Sequence, residues 1–281
     1  MNDHQFHKLL DIFGYSWKGY RRVRKGVIKR LIRHMAQLNI RNTDDYLELC
    51  KTVPGIRNET RRLLTVSISS FFRDRPLWEY IKQKMILQMT AGNPDQVAVW
   101  SAGCALGQEV YSFKMLWRIL EDEADPLPPL FVTATDINRD YLDRAAAGEY
   151  DSQTLKDVPE DLRERFFYRD QERYFVRGNL KENITWRLQD LEVSALEKNF
   201  FDLIFLRNSL LTYRRKEYHE GIIKRITPAL TRKGFLVIGA RETMPAGNMD
   251  LFRVEDFPGV FRSLLALETR IGTCSKSQYG E

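Results

Sequence analysis

Apolar residues recur at helical spacing through the first 90 positions and then give way to short apolar runs set between helices. Phe6 to Phe13 is a short periodic stretch, and Tyr20 to Leu38 a longer one. On a wheel of about 100° per residue, Val23, Val27, Ile28, Leu31, Ile32 and Met35 fill one half of the longer stretch. Arg22, Lys25, Lys29, Arg30 and Arg33 fill the other. Asn42-Thr43-Asp44 offers the side-chain oxygens that cap a helix start, which predicts a helix over Tyr46 to Thr52, and Pro54-Gly55 breaks it. Arg57 to Ser67 and Pro76 to Met89 read as further helices, and Ala91-Gly92-Asn93-Pro94 as a linker.

Beyond the linker the period changes. Val97 to Trp100, Leu130 to Thr135, Phe201 to Leu206 and Phe235 to Ala240 are short apolar runs. Helices are expected over Glu109 to Leu120, from Arg139, and over Lys216 to Leu230. Strands alternating with helices predict an α/β fold on a parallel sheet. Arg173 to Val176 and Ile184 to Leu188 flank Gly178-Asn179, a hairpin-like signal. Val260 to Arg270 would add an antiparallel edge. The division is thus a helical N-terminal domain over residues 1–90 and an α/β domain over 91–281.

With 281 residues, of which 43% are hydrophobic, the chain has enough apolar material for one large core or two unequal ones. No apolar run approaches the roughly 20 residues of a spanning helix. Met1 to Leu10 is polar and lacks the apolar segment of a secretory signal. Cys50, Cys104 and Cys274 are odd in number and far apart, which suggests neither a disulfide framework nor a zinc site. A reducing cytoplasm is the expected compartment. The net charge of +6 is local: nine of the 44 basic residues lie between Lys18 and Arg41 with no acid among them. Without those nine, 35 basic residues face 38 acidic ones. Such a segment implies an acidic partner for one surface and not a generally basic protein.

Four stretches carry candidate chemistry. Ser101-Ala102-Gly103-Cys104-Ala105-Leu106-Gly107 follows a strand and opens a helix, so small residues and free N–H groups would meet a ligand there. Asp136, at the end of the next strand, can accept both hydroxyls of a ribose, or merely cap the following helix. Arg207-Asn208 ends another strand, where open α/β sheets bind ligands. Phe71-Phe72-Arg73-Asp74, with Ser67 and Ser69 before it, reads alone as a packed helix start or as a site. None of His4, His7, His34 and His219 lies in a motif, and all four are expected at the surface.

The order and spacing of these pieces resemble the CheR-type chemoreceptor glutamate methyltransferases along nearly the whole chain. Tyr20 to Leu49 is similar to that family's basic second helix and the helix after it, and Phe71-Phe72-Arg73-Asp74 matches its signature. Gly107-Gln108-Glu109-Val110-Tyr111-Ser112 resembles Gly-Glu-Glu-Pro-Tyr-Ser, and Ala134-Thr135-Asp136-Ile137 matches outright. Phe201 to Asn208 resembles Phe-Asp-x-Ile-x-x-Arg-Asn. The resemblance implies a Rossmann-like S-adenosylmethionine methyltransferase domain, an all-helical N-terminal domain and a small antiparallel β-subdomain at about 151–188. It implies that Glu109 and Asp136 hold the cofactor, with Arg73 near its methionine end. Ser67 and Ser69 take the places of Asn and Thr, Asp190 and Leu191 lie beside the adenine, and Gly103, Arg207 and Asn208 line the pocket. It further implies that Arg22, Lys25, Lys29, Arg30 and Arg33 face the acidic helices of a membrane chemoreceptor, and that the β-subdomain meets the receptor's tail.

Gln108 and Val110 depart from the pattern, and Ala240-Arg241-Glu242 stands where His-Ser-Glu is usual. The stretch after Arg207-Asn208 is one residue longer than expected, so the catalytic tyrosine's role either passes to Tyr213 or is lost. The chemistry asks little more. A glutamate carboxylate, with a pKa near 4.3, is ionised at neutral pH and needs no general base. Two other readings stand beside this one: a degenerate module that binds cofactor or partner without turnover, and an RNA-directed methyltransferase. The basic helix suits the latter equally, although no RNA-binding module is readable.

Overall fold

The computed structural model describes residues 1–123, 127–247 and 250–264. Cys274 and the far end of the expected edge at Val260 to Arg270 lie outside them.

The N-terminal third is helical. It comprises α1 (Asp3–Phe13), α2 (Trp17–Tyr20), α3 (Arg24–Gln37), α4 (Thr43–Thr52) and α5 (Pro54–Leu63). Then come α6 (Arg75–Tyr80), a π-helical turn at Ile81–Met85 and α7 (Ile86–Thr90). Asn2 and Gln5 close a reciprocal capping box at the first helix, and Asn42 caps α4 by accepting from Asp44 N. Pro54 ends α4 and also opens α5 at its first turn, where a missing N–H costs nothing. The apolar half of α3 packs through Val27, Leu31 and Met35 against Phe6, Leu9, Tyr46 and Cys50. Two expectations for this region change. Ile32 is 45% exposed and lies outside the packed stripe. His34 is buried instead of superficial, with Nδ1 at 2.9 Å from the Tyr46 hydroxyl, which in turn lies 2.7 Å from Thr60 Oγ1. Burial lowers the His34 pKa, because the charged ring would lose its hydration.

The remainder is a seven-stranded sheet flanked by helices. Its strands are β1 (Val97–Ala102), β2 (Leu130–Asp136), β6 (Ile184–Leu188), β7 (Phe201–Leu206), β8 (Leu230–Ile238), β9 (Leu251–Arg253) and β10 (Val260–Ser263). A smaller sheet holds β3 (Glu149–Asp151), β4 (Phe167–Asp170) and β5 (Arg173–Val176). The helices are α8 (Gln108–Glu123), α9 (Arg139–Ala147), α10 (Glu160–Phe166), α11 (Gly178–Lys181), α12 (Leu210–Tyr213) and α13 (His219–Ile226). The large sheet runs β6-β2-β1-β7-β8-β10-β9, parallel from β6 to β8, with β10 reversed against β8 and β9. All six residues of β1 are buried, because helices cover both faces of a parallel sheet.

The hairpin expected around Gly178-Asn179 does not form. Arg173–Val176 pairs with β3 and β4, whereas Ile184–Leu188 crosses to the large sheet and runs parallel to β2. Gly178 to Lys181 is the helical turn that carries the chain between them. The small sheet thus spans Glu149 to Val176. Its core of Tyr150, Phe166, Phe167 and Val176 packs on Phe71, Tyr111 and Met115.

The helical bundle docks on the strand ends. Ser16 N donates to Tyr213 O at 2.7 Å, and a Cβ on Gly19 would sit only 2.4 Å from Thr212 O. Glycine is the one residue that lets α2 approach this backbone so closely.

Candidate functional site

One cleft opens at the carboxyl ends of β1, β2 and β7, where open α/β sheets bind their ligands. The turn after β1 forms its floor. Gly103 has φ +85°, and a Cβ there would crowd Ser209 Cβ at 3.0 Å. Ala105 N donates to Asp136 Oδ2 at 3.0 Å, and Asn138 N to Asp136 Oδ1 at 2.9 Å. The capping alternative for Asp136 falls away, since Asn138 itself caps α9 by accepting from Asp140 N. Burial pushes the Asp136 pKa up, and the backbone N–H groups offset part of that shift. A carboxylate has about four lone-pair sites, so these backbone contacts leave acceptor capacity for hydroxyl donors in the cleft.

Arg207 organises the opposite side. Its side chain is 3% exposed. One guanidinium nitrogen meets Glu109 Oε2 at 3.0 Å, and the other meets Asp74 Oδ2 at 2.7 Å and Arg73 O at 3.0 Å. Glu109 Oε1 accepts from Ser101 Oγ at 2.8 Å. Glu109 is therefore held by Arg207 and Ser101 while it lines the cleft. The Phe71-Phe72-Arg73-Asp74 quartet divides its work accordingly. Phe71 is fully buried against Tyr150 and Phe167, Phe72 packs edge-on to Trp78, and Asp74 pairs with Arg207. Arg73 is left in the cleft, with one hydrogen bond of 3.3 Å to Ile68 O. Phe72 and Asp74 both have positive φ (48° and 63°), so the backbone on each side of Arg73 is strained.

A half-buried carboxylate that the sequence left without a role supports the loop after β7. Glu242 Oε2 accepts from Asn208 N at 3.0 Å and Gly239 N at 2.6 Å, and Oε1 accepts from Thr212 Oγ1 at 2.6 Å. Burial raises its pKa. It fixes Asn208 at φ 53° and the short helix α12, which presents Tyr213 to the cleft beside Tyr20.

The last wall comes from the helical bundle. Tyr15, Tyr20, Arg61, Leu64 and Thr65 line the cleft, as do Ser69, Ser70, Asp190 and Leu191. Ser67 is half-buried but does not line it. Arg61 binds Asp190 with two hydrogen bonds, 2.5 Å and 3.2 Å, and no local pattern marks it in the sequence.

Of the expected basic face, Arg22, Lys25, Lys29 and Arg33 are exposed, as are Lys18 and Arg21. None of the six forms an ion pair among the described residues. Arg30 is not on that face. It turns inward and donates to Leu63 O at 2.9 Å and Thr65 O at 2.6 Å, satisfying carbonyls at the C-terminus of α5. Tyr20, which lines the cleft, lies between Lys18 and Arg21, so the basic segment begins at the cleft's edge.

A parallel sheet with one reversed strand near its edge, and an acid at the end of the strand beside β1, define a Rossmann-like protein of the nucleoside-cofactor methyltransferase class. Residues 67–260 match the family described as CheR methyltransferase, SAM binding domain. The chain belongs to the CheR methyltransferase family. A chemotaxis protein methyltransferase 1 of Vibrio cholerae is 31% identical over 226 residues, which are 77% of this chain and 81% of that protein. A chemotaxis protein methyltransferase of Listeria monocytogenes is 31% identical over 180 residues, which are 64% of this chain and 66% of that protein. An uncharacterized 104.1 kDa protein of Rhodobacter capsulatus is 30% identical over 220 residues, which are 78% of this chain but 23% of that protein. No helix among the described residues is long and apolar enough to cross a membrane. The cleft fits the family's cofactor, S-adenosylmethionine. Asp136 offers acceptors for a ribose, and the Gly103 turn leaves room for close approach.

Proposed function

We propose that the protein transfers a methyl group from S-adenosylmethionine to glutamate side chains on acidic helices of a chemoreceptor, working in the cytoplasm. One observation carries this reading: a cleft that suits the cofactor opens beside a basic surface on which Lys18, Arg21, Arg22, Lys25, Lys29 and Arg33 form no ion pair among the described residues. The cofactor supplies an activated methyl group when bound. The residues of the chain do the rest by position. Asp136 takes the ribose hydroxyls, and Arg207 is held rigid by Glu109 and Asp74. Arg73 and Tyr213 stand in the cleft, where their polar ends can orient an incoming carboxylate. That carboxylate is already ionised, so catalysis rests on alignment of the reactants and not on a proton acceptor.

Incubation with methyl-labelled S-adenosylmethionine and membranes that contain the receptors tests the reading. Base-labile label on a receptor-sized band is expected, and cofactor binding without such label would favour the non-catalytic module. Lys29→Glu with Arg33→Glu is expected to raise the Michaelis constant for receptor at least severalfold, most strongly at low salt. Cofactor affinity should hold, because neither residue lines the cleft. Exposed charges contribute about 0–1 kcal/mol each, so the unfolding temperature should barely move. An unchanged Michaelis constant would make the basic face an ordinary solvated one. Salt-sensitive RNA binding lost in the same variant would instead support the RNA-directed alternative.

Arg73→Ala is expected to lower turnover at least tenfold with little loss of stability. Its side chain makes one long hydrogen bond among the described residues, so few contacts would be lost with it. Early unfolding of this variant, with activity per folded molecule retained, would assign Arg73 a structural role.

A further inference from the structure

The cleft has a side that the parallel sheet alone does not explain. In the order β6-β2-β1, the residues after β6 stand on the side of Asp136 away from the β1 turn, where the base of a nucleoside held by Asp136 would reach. Gln189 N donates to Asp136 O, so the segment 189–192 continues directly from that position. There stands a cluster of four charges. Arg61 pairs with Asp190 and with Glu192, and Glu192 pairs with Arg214 at 2.6 Å. Glu192 N also donates to Asp190 Oδ1 at 3.0 Å. The four side chains are 11–20% exposed. Arg214 lies over the rings of Tyr15 and Tyr218 and donates to Phe13 O. Tyr15, Arg61, Asp190 and Leu191 all line the cleft.

We infer that Arg61, a residue of the helical bundle, sets the base specificity of the cleft by holding the Asp190 carboxylate in a fixed plane beside the nucleobase. This rests on the nucleoside-cofactor reading above. Arg61 takes one lone pair on each Asp190 oxygen, and Glu192 N takes a further one on Oδ1. The remaining acceptor, on Oδ2, can take an N–H from the base but repels a carbonyl. Adenine carries an exocyclic amine, whereas hypoxanthine carries an oxygen in the same place. A carboxylate held in one orientation selects the amine, and a mobile one selects neither. Arg61 is thus a positioning residue for recognition and takes no part in the transfer.

The ratio of affinities for S-adenosylhomocysteine and S-inosylhomocysteine, measured by calorimetry on the full chain, tests this, because a ratio does not depend on the folded fraction. The wild type should prefer the adenine form by at least about tenfold, as sites that hydrogen-bond a specific group do. Arg61→Met should narrow that ratio to near one, since Arg214 is paired with Glu192 and Asp190, left without its cation, turns to solvent. Arg61→Lys, which keeps the charge but not the fork, should fall between. Asp190→Asn should move the preference toward the hypoxanthine form, because its amide N–H can donate to the oxygen. If Arg61→Met does not fold, Asp190→Asn decides alone. An unchanged ratio in Asp190→Asn, or in a folded Arg61→Met, overturns the inference and leaves the cofactor reading intact. Absence of S-adenosylhomocysteine binding by the wild type overturns that reading and this inference with it.

Discussion

Arg207→Met should destabilise the protein by about 3–5 kcal/mol, the range found when one partner of a buried ion pair is removed. Arg207 is the only cation paired with Glu109 or with Asp74 among the described residues, and both acids would lose it together. Glu109 is the more enclosed of the two, at 16% side-chain exposure against 34% for Asp74, so most of the cost should fall on Glu109. Methionine matches the length of the arginine stem and can still lie near Trp78, over which the guanidinium sits at 5.9 Å. The loss is therefore electrostatic and not a cavity effect. Urea unfolding of Arg207→Met, Glu109→Gln and the double variant measures it. The double variant should recover more than 1 kcal/mol relative to the sum of the single changes, because the two side chains are in direct contact. A loss below about 1 kcal/mol in Arg207→Met, or strict additivity, would show that Glu109 is solvated and the network is not a unit. Cofactor affinity should fall in the same variant, since Asp74 and the Arg73 carbonyl lose the group that anchors them.

The second large effect concerns Asp136. Asp136→Ala should weaken S-adenosylmethionine binding more than tenfold, because charge-assisted hydrogen bonds to a paired acceptor contribute roughly 1.5–3 kcal/mol. Asp136→Asn keeps an acceptor for one of Ala105 N and Asn138 N but loses the charge, so its defect measures the electrostatic part. The pH dependence has a definite sign. Burial raises the Asp136 pKa above the usual aspartate range, which means the unliganded fold disfavours the ionised form. This group therefore contributes stability at low pH, and that contribution is lost as pH rises through its folded pKa. Hydroxyl donors favour the ionised form, so cofactor affinity should fall as pH is lowered through that same raised pKa. The fall should be absent from Asp136→Asn. Calorimetric titration of the three proteins between neutral and mildly acidic pH checks both statements, and equal affinity of wild type and Asp136→Ala would remove Asp136 from the site.

Much of this protein was readable from sequence by itself, because the signals are local. A β-rich run followed by small residues and a helix start is one contiguous stretch, so the Gly103 turn, Asp136 and Arg207-Asn208 were legible as strand-end features. The helical bundle and the alternation of strands and helices follow from periodicity over ten to twenty residues. The family resemblance rests on short motifs in order. What only the tertiary structure decided depends on partners far away in the chain. Alternation identifies a strand but not its neighbour, so Ile184–Leu188 read as half of a hairpin and is in fact the edge strand beside β2. A helical wheel separates apolar from polar, yet not a polar residue facing water from one facing carbonyls. Arg30 therefore fell among the solvent-facing cations, although it caps α5 across 33 residues. His34 is hidden for the same reason, its partner being the Tyr46 hydroxyl. Arg61 carries no local mark, and Glu242 stands in a stretch whose comparison with the family pattern gives it no role, so both roles were hidden. Each became visible only when folding set it against a polar group, Asp190 across 129 residues and Asn208 across 34, in surroundings too dry to leave that group unpaired.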